Sequence, residues 1–209
     1  IKYTGIFKDQ GVSHGVEDPR VANVIDERGV SLTNVWYPAH GGLSYFDLKA
    51  TFPARYTAIS EAEDIKKEIK EGKVEYQFRF PYQVDGINLI ASDKYVIVKD
   101  KFRDTEIYAY FLQEDIKLAK TYIEYTKKYL GMYEDLIGKY PFKRFSIVEN
   151  FLPTGYSMPT YTLLGSSVVK LPFIVETSLG HEILHQWFGN SVYIDYDSGN
   201  WAEGLTTYL

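Results

Sequence analysis

The 209-residue sequence contains no cysteine. That excludes a disulfide framework, a cysteine-ligated metal and thiol catalysis, and it leaves the compartment open. Positive charge is not in excess either: 23 Lys and Arg stand against 28 Asp and Glu, a formal charge of −5. A mildly acidic chain without a basic cluster is a poor match for nucleic acid, whose binding depends on neutralising phosphates. Long apolar runs are absent. Stretches such as Tyr95–Val98 and Leu171–Val175 fall far short of the ~18 residues of a membrane span. What is present is ordinary for a globular protein, with 45% apolar and 24% charged residues, enough for a sizeable core in one or two domains. The chain starts at Ile1 without an initiator Met and stops at Leu209 inside a helical pattern. It is therefore expected to be a piece of a longer protein, with any targeting segment elsewhere. Such a piece is expected to expose apolar surface that the missing C-terminal part covers.

The first half alternates with the period of strands. In Tyr45–Phe52, residues Phe46, Leu48, Ala50 and Phe52 share a face, and Pro53 ends the run; Tyr56–Ile59 resumes it. Val74, Tyr76, Phe78 and Phe80 alternate likewise, and Tyr95–Val98 and Glu106–Phe111 are β-branched and aromatic. An antiparallel, β-rich, sandwich-like domain over residues 1–111 is expected. Glu61–Lys70 is ambiguous: Ile65 and Ile69 lie four apart among mixed charges, which fits a helix, a charged hairpin edge or a solvated turn.

From residue 112 the period lengthens. Ile116, Leu118, Ala119, Tyr122, Ile123, Tyr129 and Leu130 mark a helix from Glu114 to Met132, with Gly131 as its stop. Phe145–Val148 and Thr162–Leu164 read as strands, and Thr154–Pro159 as turn-rich. A second helix is expected over Ile174–Phe188, stopped by Gly189–Asn190. The fold class is α+β, the second domain spanning 112–209.

Four histidines occur, at 14, 40, 181 and 185. His181-Glu182-Ile-Leu-His185 puts two imidazoles four residues apart, on one helix face, where they can chelate a single Zn2+ ion. Glu182 lies beside that face, where its carboxylate can take a proton from an attacking water. Chance gives this pattern in about one chain in 200 of this composition, so context must support it. The bland alternative is a helix with two polar residues on its surface. A hydrolytic zinc site needs a third protein ligand, and the downstream acids are Asp195, Asp197 and Glu203. Glu203 also fits a capping box with Asn200. Thr207 is either a hydrogen-bond partner for Glu203 or helix surface.

The block His181–Asn190 (His-Glu-Ile-Leu-His-Gln-Trp-Phe-Gly-Asn), followed by Trp201-Ala-Glu-Gly204, resembles the aminopeptidase N-type gluzincin family of zinc metallopeptidases. Asn34–Pro38 resembles that family's Trp-Phe-Pro segment, and Tyr140–Phe151 its first catalytic-domain strand. The resemblance implies a β domain followed by the first part of a thermolysin-like zinc peptidase domain. It implies His181, His185 and Glu203 as zinc ligands, Glu182 as general base, and a peptide or protein as substrate. Three departures qualify it. The spacer between His185 and Glu203, residues 186–202, is one residue short of the family's usual length. The family's exopeptidase loop, Gly-x-Met-Glu-Asn, corresponds to Gly155-Tyr156-Ser157-Met158-Pro159, so no carboxylate stands ready for a substrate amine, although its backbone could still align a peptide by strand addition. The family's downstream oxyanion Tyr has no counterpart here, and most of the 19 tyrosines read as packing. The expected activity is aminopeptidase-like peptide hydrolysis. The alternatives are an endopeptidase, a zinc-retaining peptide-binding module, and a structural domain with an incidental His pair.

Overall fold

The computed structural model describes residues 12–13, 16–17, 23–34, 36–38 and 41–209. His14, His40 and Val35, the last inside the Asn34–Pro38 segment, lie outside the described residues. The chain forms two compact units. One reaches Ser60 and resumes over Asp64–Asp93; the other is Glu61–Glu63 with Lys94–Leu209.

Among the described residues, the strand pairs of the first unit are antiparallel. A two-stranded pair joins β1 (Val12–Ser13) and β2 (Val16–Glu17). β3 (Val24–Asp26), β4 (Gly29–Leu32), β6 (Thr57–Ile59) and β9 (Leu89–Ser92) form a sheet in the order β3-β4-β9-β6. β5 (Asp47–Pro53), β7 (Asp64–Lys70) and β8 (Lys73–Arg79) form another in the order β5-β8-β7. Burial follows the alternation: Val74, Tyr76 and Phe78 of β8 are buried, and Leu48, Ala50 and Phe52 of β5 are half-buried. The ambiguous Glu61–Lys70 segment is not a helix. Its Asp64–Lys70 part is the charged edge strand β7, with Ile65 opposite Phe78 and Ile69 opposite Val74. A spacing of four keeps two isoleucines on one face in a strand as well as in a helix, and the charges between them blunt the edge. Trp36 and Tyr37 both serve the Ile87 backbone: Trp36 Nε1 donates to its carbonyl at 2.9 Å, and its N–H donates to Tyr37 Oη at 3.1 Å.

The second unit is built on a five-stranded mixed sheet. β10 (Tyr95–Phe102), β11 (Thr105–Leu112), β12 (Arg144–Asn150), β13 (Gly155–Met158) and β14 (Tyr161–Gly165) lie in the order β10-β11-β12-β14-β13. β11, β12 and β14 are mutually parallel; β10 and β13 close the edges antiparallel. Every residue of β12 is buried, as a strand covered on both faces should be. The expected boundary at residue 111 therefore differs from the structural one at Asp93/Lys94. The hairpin β10–β11 is antiparallel by sequence pattern, but β11 is the parallel partner of β12 and belongs with it. Tyr140–Phe151 contains β12, the third strand of this unit in chain order.

A short 3₁₀ turn, Ile116–Leu118, leads into α1 (Ala119–Leu136). Gly131 does not end this helix. It sits inside it, where a Cβ would stand 3.4 Å from the Phe102 ring, at the near end of ordinary contact. α2 (Ser178–Leu184) is shorter than the expected Ile174–Phe188. Before it, residues 171–177 form i→i+3 turns, and Thr177 Oγ1 donates to the Phe173 carbonyl at 2.9 Å, an alternative to regular helix that β-hydroxyl residues favour. After it, Gln186 and Trp187 N–H donate three residues back. Gly189, at φ +111°, then turns the chain, and Asn190 N–H returns to the His185 carbonyl at 3.0 Å. α3 (Trp201–Tyr208) follows. Among the described residues no helix is long and apolar enough to cross a membrane. Leu171, Phe173, Val192, Trp201 and Tyr208 are exposed.

Candidate active site

α2 and α3 bring His181, His185 and Glu203 together. On α2 the imidazoles sit one turn apart, 4.7 Å between ring centroids and nearly perpendicular. Their Nε2 atoms are 3.1 Å apart. Glu203 Oε2 lies 3.4 Å from His181 Nε2, and Oε1 lies 3.3 Å from His185 Nε2. Asn200 caps α3, its Oδ1 accepting from Glu203 N–H at 3.4 Å. Only half of the expected capping box forms, because the Glu203 carboxylate faces the histidines rather than its own helix start. Asp195 instead takes a turn role, accepting from Ser198 Oγ at 2.9 Å.

The tautomer of His185 follows from its other nitrogen. Nδ1 lies 3.0 Å from the Phe188 carbonyl, which can only accept, so Nδ1 carries the proton and Nε2 presents a lone pair. Burial, together with neighbouring His181, also depresses the His185 pKa and favours this neutral form, against opposing contributions from the Phe188 carbonyl and Glu203. The donor set can be tested for fit. Zinc bonded tetrahedrally at ~2.0–2.1 Å places its ligand atoms about 3.3 Å from one another. Separations of 3.1, 3.3 and 3.4 Å match that edge length, and two ring nitrogens with one carboxylate form a donor set zinc accepts.

Glu182 is half-buried beside this cluster. Burial first, and the Glu203 charge second, push its carboxyl up to about 7, and no hydrogen bond to the charged form offsets them. Such a group accepts and returns a proton near neutrality.

The stretch Gly155–Met158 is a strand, β13, rather than a turn, and it is the edge of its sheet. It packs against α2: Ser157 Oγ donates to the Glu182 carbonyl at 2.7 Å. Tyr156, Ser157 and Met158 are half-buried and Gly155 is exposed. Thr207 is helix surface. The threonine that reaches the cluster is Thr206, with Oγ1 3.5 Å from His185 Nε2 and donating to Ala202 O at 2.9 Å. Thr206 lies three residues after Glu203, a helical neighbour as close as the fourth. Gln186, whose neighbours in sequence had overshadowed it, is fully buried against β13.

No family model matches this sequence. The chain does have homologues among proteins named aminopeptidases. It is 27% identical over 186 residues to the alanine/arginine aminopeptidase of Saccharomyces cerevisiae, covering 78% of this chain and 21% of that protein. It is 24% identical over 159 residues to probable aminopeptidase 2 of Sulfurisphaera tokodaii, covering 70% and 20%. Over 88 residues it is 33% identical to aminopeptidase RNPEPL1 of Mus musculus, covering 39% and 12%. The chain thus spans about a fifth of the length of the first two relatives.

Proposed function

We propose that this protein is a zinc-dependent, aminopeptidase-like peptidase whose mixed-sheet unit is the first part of a thermolysin-like catalytic domain. The observation that carries the reading is the meeting of His181, His185 and Glu203 at the separations of a tetrahedral site, with Glu182 beside it. His181, His185 and Glu203 would hold one zinc ion. When bound there, zinc supplies Lewis acidity that acidifies water and polarises a peptide carbonyl. Glu182 takes a proton from the attacking water and delivers it to the leaving amine nitrogen. The Phe188 carbonyl, accepting from Nδ1–H, orients the His185 ring. β13, Gly155–Met158, stands last in the order of its sheet, where a peptide can add as a further strand.

β13 carries Gly, Tyr, Ser and Met but no carboxylate. That favours, as the second reading, action on internal peptide bonds or peptide capture without cleavage. The test is Glu182→Gln. Zinc content stays at the wild-type level while peptide hydrolysis falls by at least about 100-fold, the scale of a lost general base. Full turnover by that variant removes Glu182 from the mechanism. Peptides with free and blocked amino termini, assayed in parallel, separate exopeptidase from endopeptidase action.

A further inference from the structure

The side chain of Gln186 is fully buried, and both its amide oxygen and its amide nitrogen are hydrogen-bonded. Oε1 accepts from Thr160 N–H at 2.9 Å, and Tyr140 Oη, 3.3 Å away, shares its one proton between Oε1 and the Arg144 carbonyl at 3.1 Å. Nε2 donates to the Met158 carbonyl at 2.9 Å and to Ser157 Oγ at 2.8 Å. The opposite amide orientation would turn its NH2 towards an N–H and its oxygen towards a carbonyl, so the network fixes which way it points. Ser157 is saturated: it donates to the Glu182 carbonyl and also accepts from Asn190 Nδ2 at 3.0 Å. Three of the four Gln186 partners lie on β13 or on the turn that follows it.

That turn supplies an independent observation. Pro159 and Thr160 close the β13–β14 hairpin between Met158 and Tyr161, and Thr160 sits at φ +75°. A β-branched residue rarely adopts that conformation, and a turn of this kind ordinarily places glycine there. Strain of this sort persists only where surroundings over-determine it. Here the Thr160 amide is held by Gln186, and its carbonyl accepts from Ser146 N–H at 2.9 Å.

We propose that Gln186 is a positioning residue that fixes the register and separation of edge strand β13 against the helix carrying Glu182. A peptide added along β13 is thereby presented at a constant distance from the base. The role in catalysis rests on the peptidase reading above; the role in holding β13 does not. The experiment is hydrogen exchange and steady-state kinetics on zinc-loaded protein. Gln186→Glu keeps the acceptor and removes both donors. It is expected to speed exchange of the Gly155–Thr160 amides at least tenfold and to raise KM for a peptide at least tenfold. Zinc content and α2 exchange stay as in wild type, and kcat falls less than KM rises. Gln186→Ala frees the Thr160 amide as well, and adding Thr160→Gly to it restores slow exchange in part by relieving the strained turn. Ser157→Ala, which removes one Gln186 contact together with the bonds to Glu182 and Asn190 but leaves Gln186 on Met158 and Thr160, gives an intermediate effect and serves if the Gln186 variants do not fold. Wild-type exchange in β13 in Gln186→Glu, or zinc loss with equal loosening of α2 in Ser157→Ala, overturns the proposal. Zinc binding by wild type without cleavage of any peptide defeats the peptidase reading alone, and the exchange data still decide the role of Gln186.

Discussion

The same substitution should have opposite signs at two glycines, one on each of the helices that meet at the site. Gly180 precedes His181 on α2, where α2 packs on α1. A Cβ there would lie 2.7 and 2.8 Å from Cε1 and Cζ of Tyr129. Carbon–carbon contact is comfortable at about 3.5 Å, so ring or helix must give way by roughly 0.8 Å. The ring has little freedom: it stacks on Tyr133 at 5.8 Å, leans on Tyr125 at 6.4 Å, and Tyr133 Oη donates to the Gly180 carbonyl at 3.2 Å. Alanine in place of glycine gains about 1 kcal/mol of helix propensity, but overpacking a filled core costs about 1–3 kcal/mol. With the neighbours pinned, the clash wins, and Gly180→Ala is expected to destabilise by about 1–2 kcal/mol. Gly204, on α3, has nothing within 4 Å of a built Cβ and is exposed. There only the propensity acts, and Gly204→Ala is expected to stabilise by about 0.4–1 kcal/mol. Urea unfolding followed by the helical circular-dichroism signal measures both. Equal shifts of the same sign would refute the packing argument.

A stronger steric case is Gly165, where a Cβ would meet the Leu152 carbonyl oxygen at 2.7 Å and Thr154 N at 2.9 Å. These are backbone atoms that cannot swing aside, so Gly165→Ala is expected to cost at least about 3 kcal/mol in the same assay; a cost below that of Gly180→Ala contradicts this. Glu149 gives a pH signature. It is fully buried on β12, and burial, aided by the neighbouring Asp115 carboxyl, lifts its pKa to about 7. Between the unfolded value near ~4.5 and that value the folded chain holds a proton that the unfolded chain does not, so stability falls as pH rises through the window. Glu149→Gln should remove a decline of order 2–3 kcal/mol between pH 4.5 and 7.5. An unchanged slope in that variant assigns the pH dependence elsewhere.

Alternation made the strands legible wherever one face is buried: Val74, Tyr76 and Phe78 announce β8 because nothing else explains apolar residues at every second position. The histidine pair was legible because i, i+4 is both a sequence spacing and a helix face. Other features were hidden for identifiable reasons. Ile65 and Ile69 satisfy both periods, so only pairing with β8 decides between them. Gly131 carries the signature of a helix stop, yet it lies inside α1, beside the Phe102 ring, which is distant in sequence. The extent of α2 depends on Thr177 choosing a local hydrogen bond. Gly155–Met158 has turn-prone residues, and becomes a strand only because β14 offers an open edge. The placement of β10 and β11 with the second unit depends on a parallel pairing across thirty-odd residues, which no local pattern encodes. At the site, the residues alone left Asp195, Asp197 and Glu203 open and the family resemblance pointed to Glu203, whereas Thr206 and Gln186 are placed by contacts between elements that only the folded chain brings together.

The central claim is tested most directly by zinc stoichiometry. Purified protein dialysed against zinc and measured by elemental analysis should hold one zinc per chain. His181→Ala, His185→Ala and Glu203→Ala should each lose it, and Asp195→Ala and Asp197→Ala should retain it. A chain that takes up no zinc, or whose zinc survives loss of either histidine, contradicts the account.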